Sequence, residues 1–482
     1  MRGALWTISS GMGSRAIGLV GTLVVTRFIT PADYGEVSVA AVLVMTANQL
    51  STIGFGQYLV ATPDAPRSVA FHVTAFHVLL GVVALGLLLA FGGLLGPALD
   101  APRMTRFLPG LVLSGLFDRV AFVPERILVR DLRFGSVSMT RTVADLSHSA
   151  VSVALAALGW GGAAIVMGNV VRSAVRVALL VANVQRRDWL EPCRLSLQQT
   201  RELLAFGVPM ALGALLAFAA RRWDNLLVSR LFGPGPTGMY NLAYNLADVP
   251  AIQVGEQIGD VLLPSFARVE VARRPAVLVR SMALLSLVVF PLAVGLGAVA
   301  PTLVATIFDA RWRPLAPMLV LLSALSLTRP VGWTVASYLQ ARQMPRAIFW
   351  LEALKLALLV GGILSFGRRS PLWTCVAVGV SFGLHAVASL WVVRQTDHVP
   401  LRRSLGCLAP ALGACLVMVA AVLLVRTLLA SLASVPPVLA LTCEVLGGAL
   451  AYAAGAGLLA RSASRELMAK LRDALHRHPL PE

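Results

Sequence analysis

VVTRFITPADYG (residues 24–35) and LVSRLFGPGPTG (residues 227–238) are two versions of one phrase. Aligned without gaps, each runs apolar residue, hydroxyl residue, Arg, two apolar residues, one free position, Pro, three further positions, Gly. Arg27 matches Arg230, Pro31 matches Pro234, and Gly35 matches Gly238. Each copy has a local cause: Pro after a non-helical residue ends one helix, and Gly permits the turn into the next. One copy alone marks a helical hairpin. Two copies with Arg and a hydroxyl at matching places, far apart in the chain, mark a duplicated helical bundle.

The composition around these phrases decides the solvent. Of 482 residues, 57% are hydrophobic and 13% charged, and the mean hydropathy is +0.78; both lie outside the range of soluble domains. Apolar stretches of about twenty residues, each long enough to cross roughly 30 Å of hydrocarbon, follow one another with short polar breaks. No large soluble domain fits between them. The opening MRGALWTISSGMGSRAIGLVGTLVVTRF carries Arg15 inside its apolar body and lacks a clear small-residue cleavage site, which predicts a retained first helix. Cys193, Cys375, Cys407, Cys415 and Cys443 are scattered without metal-ligand spacing, so neither a disulfide frame nor a metal site is expected.

Polar breaks and Pro/Gly turns predict an all-α polytopic membrane protein of about fourteen transmembrane helices, beginning near residues 4, 34, 68, 104, 136, 160, 204, 238, 278, 314, 346, 371, 404 and 437. Orientation checks the count. With the amino terminus inside, the cytoplasmic segments carry roughly two dozen Lys/Arg and the opposite segments roughly nine. Both termini are then cytoplasmic. The net charge of +18 sits largely in these short connections, so topology accounts for it and no nucleic-acid partner is called for. The tail RSASRELMAKLRDALHRH, residues 461–478, reads as a solvated terminal helix or as a basic helix lying on the membrane surface.

The two phrases join spans one and two and spans seven and eight. An even separation gives both the same orientation, which predicts two six-helix bundles related by a pseudo-two-fold along the membrane normal. The expected parts are an N-terminal bundle over 1–185, a cytoplasmic linker over 186–203, a second bundle over 204–398, two extra helices over 399–461 and a basic tail over 462–482. Rocking of one bundle against the other is the geometry of alternating access.

Three stretches resemble one family. RRWDNLLVSRLFGPGPTGMYNLAYNLADVPAIQVGEQIGDVLLPSFARV (221–269), VPERILVRDLRFGSVSMTRTVADLSHSAVSVALAALGWGG (123–162) and the opening phrase followed by QLSTIGFGQYLV are similar to bacterial O-antigen and exopolysaccharide flippases of the polysaccharide-transporter family. That family lies in the multidrug, oligosaccharidyl-lipid and polysaccharide exporter superfamily. The resemblance implies a twelve-helix core with two added carboxyl-terminal helices. It also implies a substrate, an oligosaccharide carried on undecaprenyl pyrophosphate and moved from the inner to the outer leaflet of the bacterial cytoplasmic (inner) membrane. Implied partners are membrane lipids and the pathway's glycosyltransferases and polymerase. Neighbouring lipid II flippases carry S-R-x-x-G in the first helix, with a second Arg six residues beyond the first. Here Ser14, Arg15 and Gly18 match, but Gly21 stands at the second Arg position.

Charges inside the membrane are costly, so each one marks a cavity or a partner. Helical spacing pairs Arg141 with Asp145, Arg221 with Asp224 and Glu352 with Lys355. Arg15, Arg172, Arg176, Arg222 and Arg329 remain unpaired in that scheme and are the expected substrate-binding set, because guanidinium forks bind phosphate oxygens bidentately. No G-x-x-x-x-G-K-[ST] loop is present, so ion coupling is expected, with Asp145, His148, Asp248 and Glu256 as candidates. His72 and His77 read as polar residues within a bundle. No H-E-x-x-H, C-x-x-C or nucleophile elbow appears, and no catalytic residue or cofactor is expected. The alternatives are a drug or small-metabolite antiporter of the same superfamily, a membrane glycosyltransferase or polymerase, and a lipid-binding scaffold. The arginine excess speaks against cationic drugs, and no long loop offers an enzyme site.

Overall fold

The structure, a computed structural model, describes residues 18, 20–53, 59, 67–193, 196–432, 435–461, 463–466, 468 and 469. Among these the chain is helical, with no strand. The expected span near residue 4, Arg15 and the end of the basic tail lie outside the described residues. By internal contacts the chain divides into two compact units, Met1–Asn241 and Leu242–Glu482.

The first unit holds α1 (Pro31–Ser51), α2 (Arg67–Ala98), α3 (Met104–Arg130), α4 (Phe134–Ala157), α5 (Gly162–Asn183) and α6 (Leu197–Phe232), together with the first turns of α7 (Pro234–Arg268). The starts follow the sequence logic. At α1, Thr30 is the N-cap and its Oγ1 accepts the amide of Asp33 at 3.1 Å, while Pro31 needs no hydrogen-bond partner in the first turn. At the α6–α7 junction Gly233 takes φ +76°, a conformation that suits glycine, and Pro234 opens the next helix. Helix α6 packs along α1, so the unit reaches past the 186–203 segment and its limit falls inside α7.

The second unit continues α7 and adds α8 (Arg274–Ile307), α9 (Leu315–Leu325), α10 (Arg329–Ala341), α11 (Pro345–Ser365), α12 (Pro371–Asp397), α13 (Ala409–Ala430) and α14 (Pro437–Leu459). The single span expected from residue 314 runs over Leu315–Ala341 and tightens into a 3₁₀ turn at Ser326–Thr328. Pro330 has no N–H to continue the i→i−4 ladder, and Ser326 Oγ instead donates to the Ala247 carbonyl of α7 at 3.1 Å.

Among the described residues nine helical segments are long and apolar enough to cross a membrane. In the most apolar window of Pro437–Leu459 only 17% of residues are buried, so its apolar surface faces outward, as hydrocarbon solvent demands. Helices α1, α4, α6 and α7 have the length but not the apolarity. Of these, α4 carries Arg141 and Asp145.

Candidate functional site

Helices α3, α4 and α5 of the first unit place six charges together. Glu125 of α3, whose side chain is only 6% exposed, is shared by two arginines: Arg141 of α4 donates to Oε1 at 2.5 Å and Arg176 of α5 donates to Oε2. Arg176 also donates to Asp118 of α3 at 2.8 Å, and Arg172 Nε meets Asp145 of α4 at 3.0 Å. Three guanidiniums and three carboxylates are thus linked by ion pairs, and half-buried Arg126, next to Glu125 on α3, adds a fourth cation to the cluster. The sequence pairing is corrected here: Arg172 and Arg176 have partners, and Arg141 turns to Glu125 rather than to Asp145. The physical reason is close packing between helices. Gly168 of α5 lies so near α4 that an added Cβ would stand 1.9 Å from Ser152 Oγ. Cross-helix pairs then outcompete i,i+4 pairs, which contribute only about 0.2–0.5 kcal/mol.

Along the same face of α4, His148 Nδ1, Ser149 Oγ and Ser152 Oγ are buried without a hydrogen-bond partner among the described residues. His148 lies one turn from Asp145, its ring against Gly168. Asp145 and His148, the two candidates from this span, thus sit side by side, Asp145 already committed to Arg172.

Sequence reasoning missed Asp118, Arg119 and Glu125. The available signal was the heptad spacing of Asp118 and Glu125, which puts both on one helical face. Arg119 is buried to 3% exposure and is held by oxygens of the last turn of α1. It donates to Asn48 Oδ1 at 2.6 Å and to the Asn48 carbonyl at 2.7 Å. It also reaches Ser51 Oγ at 2.6 Å and Thr52 Oγ1 at 3.1 Å. A guanidinium suits a helix C-terminus, where unpaired carbonyls gather negative charge. His77 lies 3.3 Å from it and stacks on Phe122 at 4.0 Å between centroids. His72 accepts the Ser196 amide at Nε2, 2.7 Å away, which ties the 186–203 segment to α2. Both histidines are thus packing residues.

In the second unit the charges close on each other. Arg329 at the start of α10 is paired with Asp248 of α7, with side-chain exposures of 11% and 12%. Arg329 is therefore not a free cation and Asp248 not a free carboxylate, as the sequence pattern had them. Lys355 meets Glu352 at 3.2 Å, as its spacing predicts. The Arg329 and Lys355 head groups both lie over the Phe382 ring, 5.7 and 4.9 Å from its centroid. Glu444 of α14, 1% exposed at its side chain, takes both oxygens to Arg426 of α13 at 2.9 Å and accepts Thr302 Oγ1 of α8 at 2.7 Å. A cavity of about 440 Å³ borders this lock, lined chiefly by apolar side chains of α8, α13 and α14. The Glu256 side chain lies outside the described residues.

The expected Arg221–Asp224 pair is also replaced. Asp224, 1% exposed, accepts the Tyr240 hydroxyl at 2.5 Å and the Asn225 amide at 2.9 Å, while Arg221 donates to the Ala217 carbonyl at 3.3 Å. Asn241 Nδ2 donates to Asn225 Oδ1 at 2.8 Å. These bonds staple α6 to α7 along their buried faces. Arg222, half-buried, sits two residues before Asp224 on α6.

The repeated phrases meet within the first unit. A Cβ added to Gly35 would stand 1.9 Å from the Pro234 carbonyl oxygen, and one added to Gly238 would stand 1.9 Å from the Pro31 carbonyl oxygen. The contact is reciprocal: each glycine accepts the other copy's first turn. Arg27 and Arg230 are exposed beside it.

Residues 24–317 match the model of a family described as polysaccharide biosynthesis protein. The chain belongs to this family. It is 25% identical to the lipopolysaccharide biosynthesis protein WzxC of Escherichia coli (strain K12), over 79% of this chain and 77% of that protein. It is also 25% identical to the succinoglycan biosynthesis transport protein ExoT of Rhizobium meliloti (strain 1021), over 96% and 94%. A solved structure of the lipid II flippase MurJ, in an inward closed conformation, matches with a TM-score of 0.74 at 13% identity, covering 95% of this chain and 99% of that one. The fold is thus that of an all-helical membrane transporter, and the chain is a multi-pass membrane protein.

Proposed function

We propose that this family member is a flippase, not an enzyme, which moves undecaprenyl-pyrophosphate-linked oligosaccharide units from the inner to the outer leaflet of the bacterial cytoplasmic membrane. Family membership and two relatives named for polysaccharide biosynthesis, one of them for transport, support the reading. In this reading both termini are cytoplasmic, and the pathway's glycosyltransferases and polymerase are partners. The domain reading belongs to the proposal: bundles over 1–185 and 204–398 joined by 186–203, two added helices over 399–461 and a tail over 462–482. Ion-coupled alternating access drives the cycle.

The observation that carries the site is the Glu125 network. A diphosphate cannot cross hydrocarbon unescorted, and three bare guanidiniums would be equally costly in its absence. Asp118, Glu125 and Asp145 are the carboxylate partners of Arg141, Arg172 and Arg176. Arg141 and Arg172 are 60% and 48% exposed at the side chain; they exchange a carboxylate for a phosphate oxygen with little rearrangement, since both acceptors take the same planar fork. Arg141 joins the binding set for this reason, and Arg329, enclosed with Asp248, becomes a packing residue. Arg15 and Arg222 stay in the set as expectations from the first and seventh spans. For coupling, His148 beside Asp145 is favoured over Asp248; Glu256 stays a candidate.

The test is the double variant Arg172→Gln with Arg176→Gln, expressed in a deletion strain. Charge-assisted hydrogen bonds contribute about 1.5–3 kcal/mol each, so polymer export falls about a hundredfold while the amount of protein stays normal. Undecaprenyl-linked oligosaccharide accumulates on the inner leaflet. Retained export would remove this site, and absence of any accumulated lipid-linked glycan in the deletion strain would remove the substrate class.

A further inference from the structure

Glu36, one residue past the Gly35 crossing, is a buried carboxylate of a different kind from those in the ion pairs. It is 3% exposed. It accepts the backbone amides of Arg103, the N-cap of α3, and of Met104, its first residue; the Arg103 side chain makes no capping bond. Those amides leave Oε2 buried with no hydrogen-bond partner among the described residues. Every other buried acid in the first unit is fully engaged: Glu125 by two arginines, Asp224 by a hydroxyl and an amide.

The charged groups around Glu36 are few. Asp33 on its own helix is bonded to Thr30. Asp100 and Arg103 lie on the connection to α3, with Arg103 exposed, and Arg230 is exposed at the end of α6. The opening turns of α5 and α7 carry no ionisable side chain. An ionised carboxylate with one oxygen buried without a partner, and only the exposed Arg103 as a nearby cation, is costly. The inexpensive state is the neutral acid.

We propose that Glu36 is a proton-binding site of the transport cycle, in which its carboxyl group holds a proton in the arrangement seen here. This deepens the ion-coupled reading above and rests on it for its place in transport. The reciprocal glycine contact fixes the first turn of α1, so a shift of that turn changes what surrounds Glu36 one residue on. When the shift admits water, the acid transfers its proton to water and is left as a hydrated carboxylate still bonded to the α3 amides. When the turn reseats, the carboxylate takes up a proton again. One proton is thus bound and released for each cycle of the turn.

Glu36→Gln separates this role from simple capping, because glutamine still accepts the two amides but holds no exchangeable acid proton. The first measurement is infrared spectroscopy of the purified full-length chain in lipid, without substrate. Wild type shows the C=O stretch of a protonated carboxylic acid that is missing in Glu36→Gln and shifted in Glu36→Asp. The second is flipping of undecaprenyl-pyrophosphate-linked oligosaccharide in proteoliposomes under an imposed pH gradient. Glu36→Gln loses the stimulation by the gradient about tenfold, with the same thermal midpoint as wild type. Identical infrared spectra for wild type and Glu36→Gln, or a variant that responds to the gradient as wild type does, overturns the proposal. If wild type moves no lipid-linked glycan while its acid band is lost in Glu36→Gln, the flippase reading fails and the proton site stands.

Discussion

The charges of the two units are arranged to opposite ends. In the first, one carboxylate serves two arginines across three helices, and Arg141 and Arg172 stay about half exposed. In the second, the pairs Arg329–Asp248, Lys355–Glu352 and Arg426–Glu444 are each closed, and the side chains of Asp248, Lys355 and Glu444 are at most 12% exposed. A shared, accessible network is able to trade one acceptor for another, whereas a closed pair fixes its helices. The same residue types therefore do different work. Apolarity follows the division: of the nine strongly apolar segments among the described residues, the three that begin at Ser68, Met104 and Gly162 lie in the first unit and the rest in the second.

The largest effect that sharpens this contrast is expected at Glu444. In Glu444→Gln, Arg426 loses its counter-charge, and breaking a buried pair from one side costs about 3–5 kcal/mol. Helices α13 and α14 then lose their tie to α8, and the amount of folded protein drops. Per remaining molecule, export is unchanged. The Arg172 and Arg176 double variant should do the reverse, with normal protein and little export. If Glu444→Gln instead lowers export per molecule at normal protein level, the distinction between locking pairs and a working network is broken.

Next in size is the crossing of the repeated phrases. An alanine at Gly238 puts a methyl 1.9 Å from the Pro31 carbonyl, while one at Gly235 meets nothing within 4 Å. Overpacking costs about 1–3 kcal/mol. Gly238→Ala should therefore lower the thermal midpoint and export together, and Gly235→Ala should leave both where they are. Equal behaviour of the two alanines would show that the contact between phrases does not hold the turns together.

Much of this architecture was legible beforehand, because membrane spans obey length and polarity rules that need no tertiary information. Helix starts at Pro31, Pro234, Pro345, Pro371 and Pro437 were marked by proline itself. The span expected from residue 314 is one segment, Leu315–Ala341, and only its 3₁₀ turn at Ser326–Thr328 goes unmarked by the sequence. Lys355 with Glu352 was correctly paired by spacing, since both lie on one exposed-to-buried flank of the same helix. The partners of Arg141, Arg172, Arg176 and Arg329 escape sequence reasoning for one reason: a partner on another helix leaves no mark in local spacing. Glu36 carries no sequence signal of its own, since its significance comes from the amides at the start of α3, remote in the chain.

The smallest expected effect concerns how the 186–203 segment is held. The segment expected to be a linker is docked: Trp189 O accepts Thr74 Oγ1 at 3.3 Å, and Cys193 Sγ lies 3.7 Å from the Ser68 carbonyl and 3.6 Å from His72 Nδ1. Burial against α2, with Glu191 adding to it, pushes the Cys193 thiol up from its ordinary range. Only the thiolate reacts with an alkylating reagent, so a raised value leaves less of it at neutral pH. Alkylation of Cys193 by N-ethylmaleimide, followed by mass spectrometry of its peptide, should be a few times slower at pH 7 than in the denatured chain. The two rates should converge as the pH rises past the folded-state value. A His72→Ala variant, which removes the acceptor for Ser196, should bring the rate at pH 7 close to that of the denatured chain. Full reactivity in the native wild type would mean that the segment swings free.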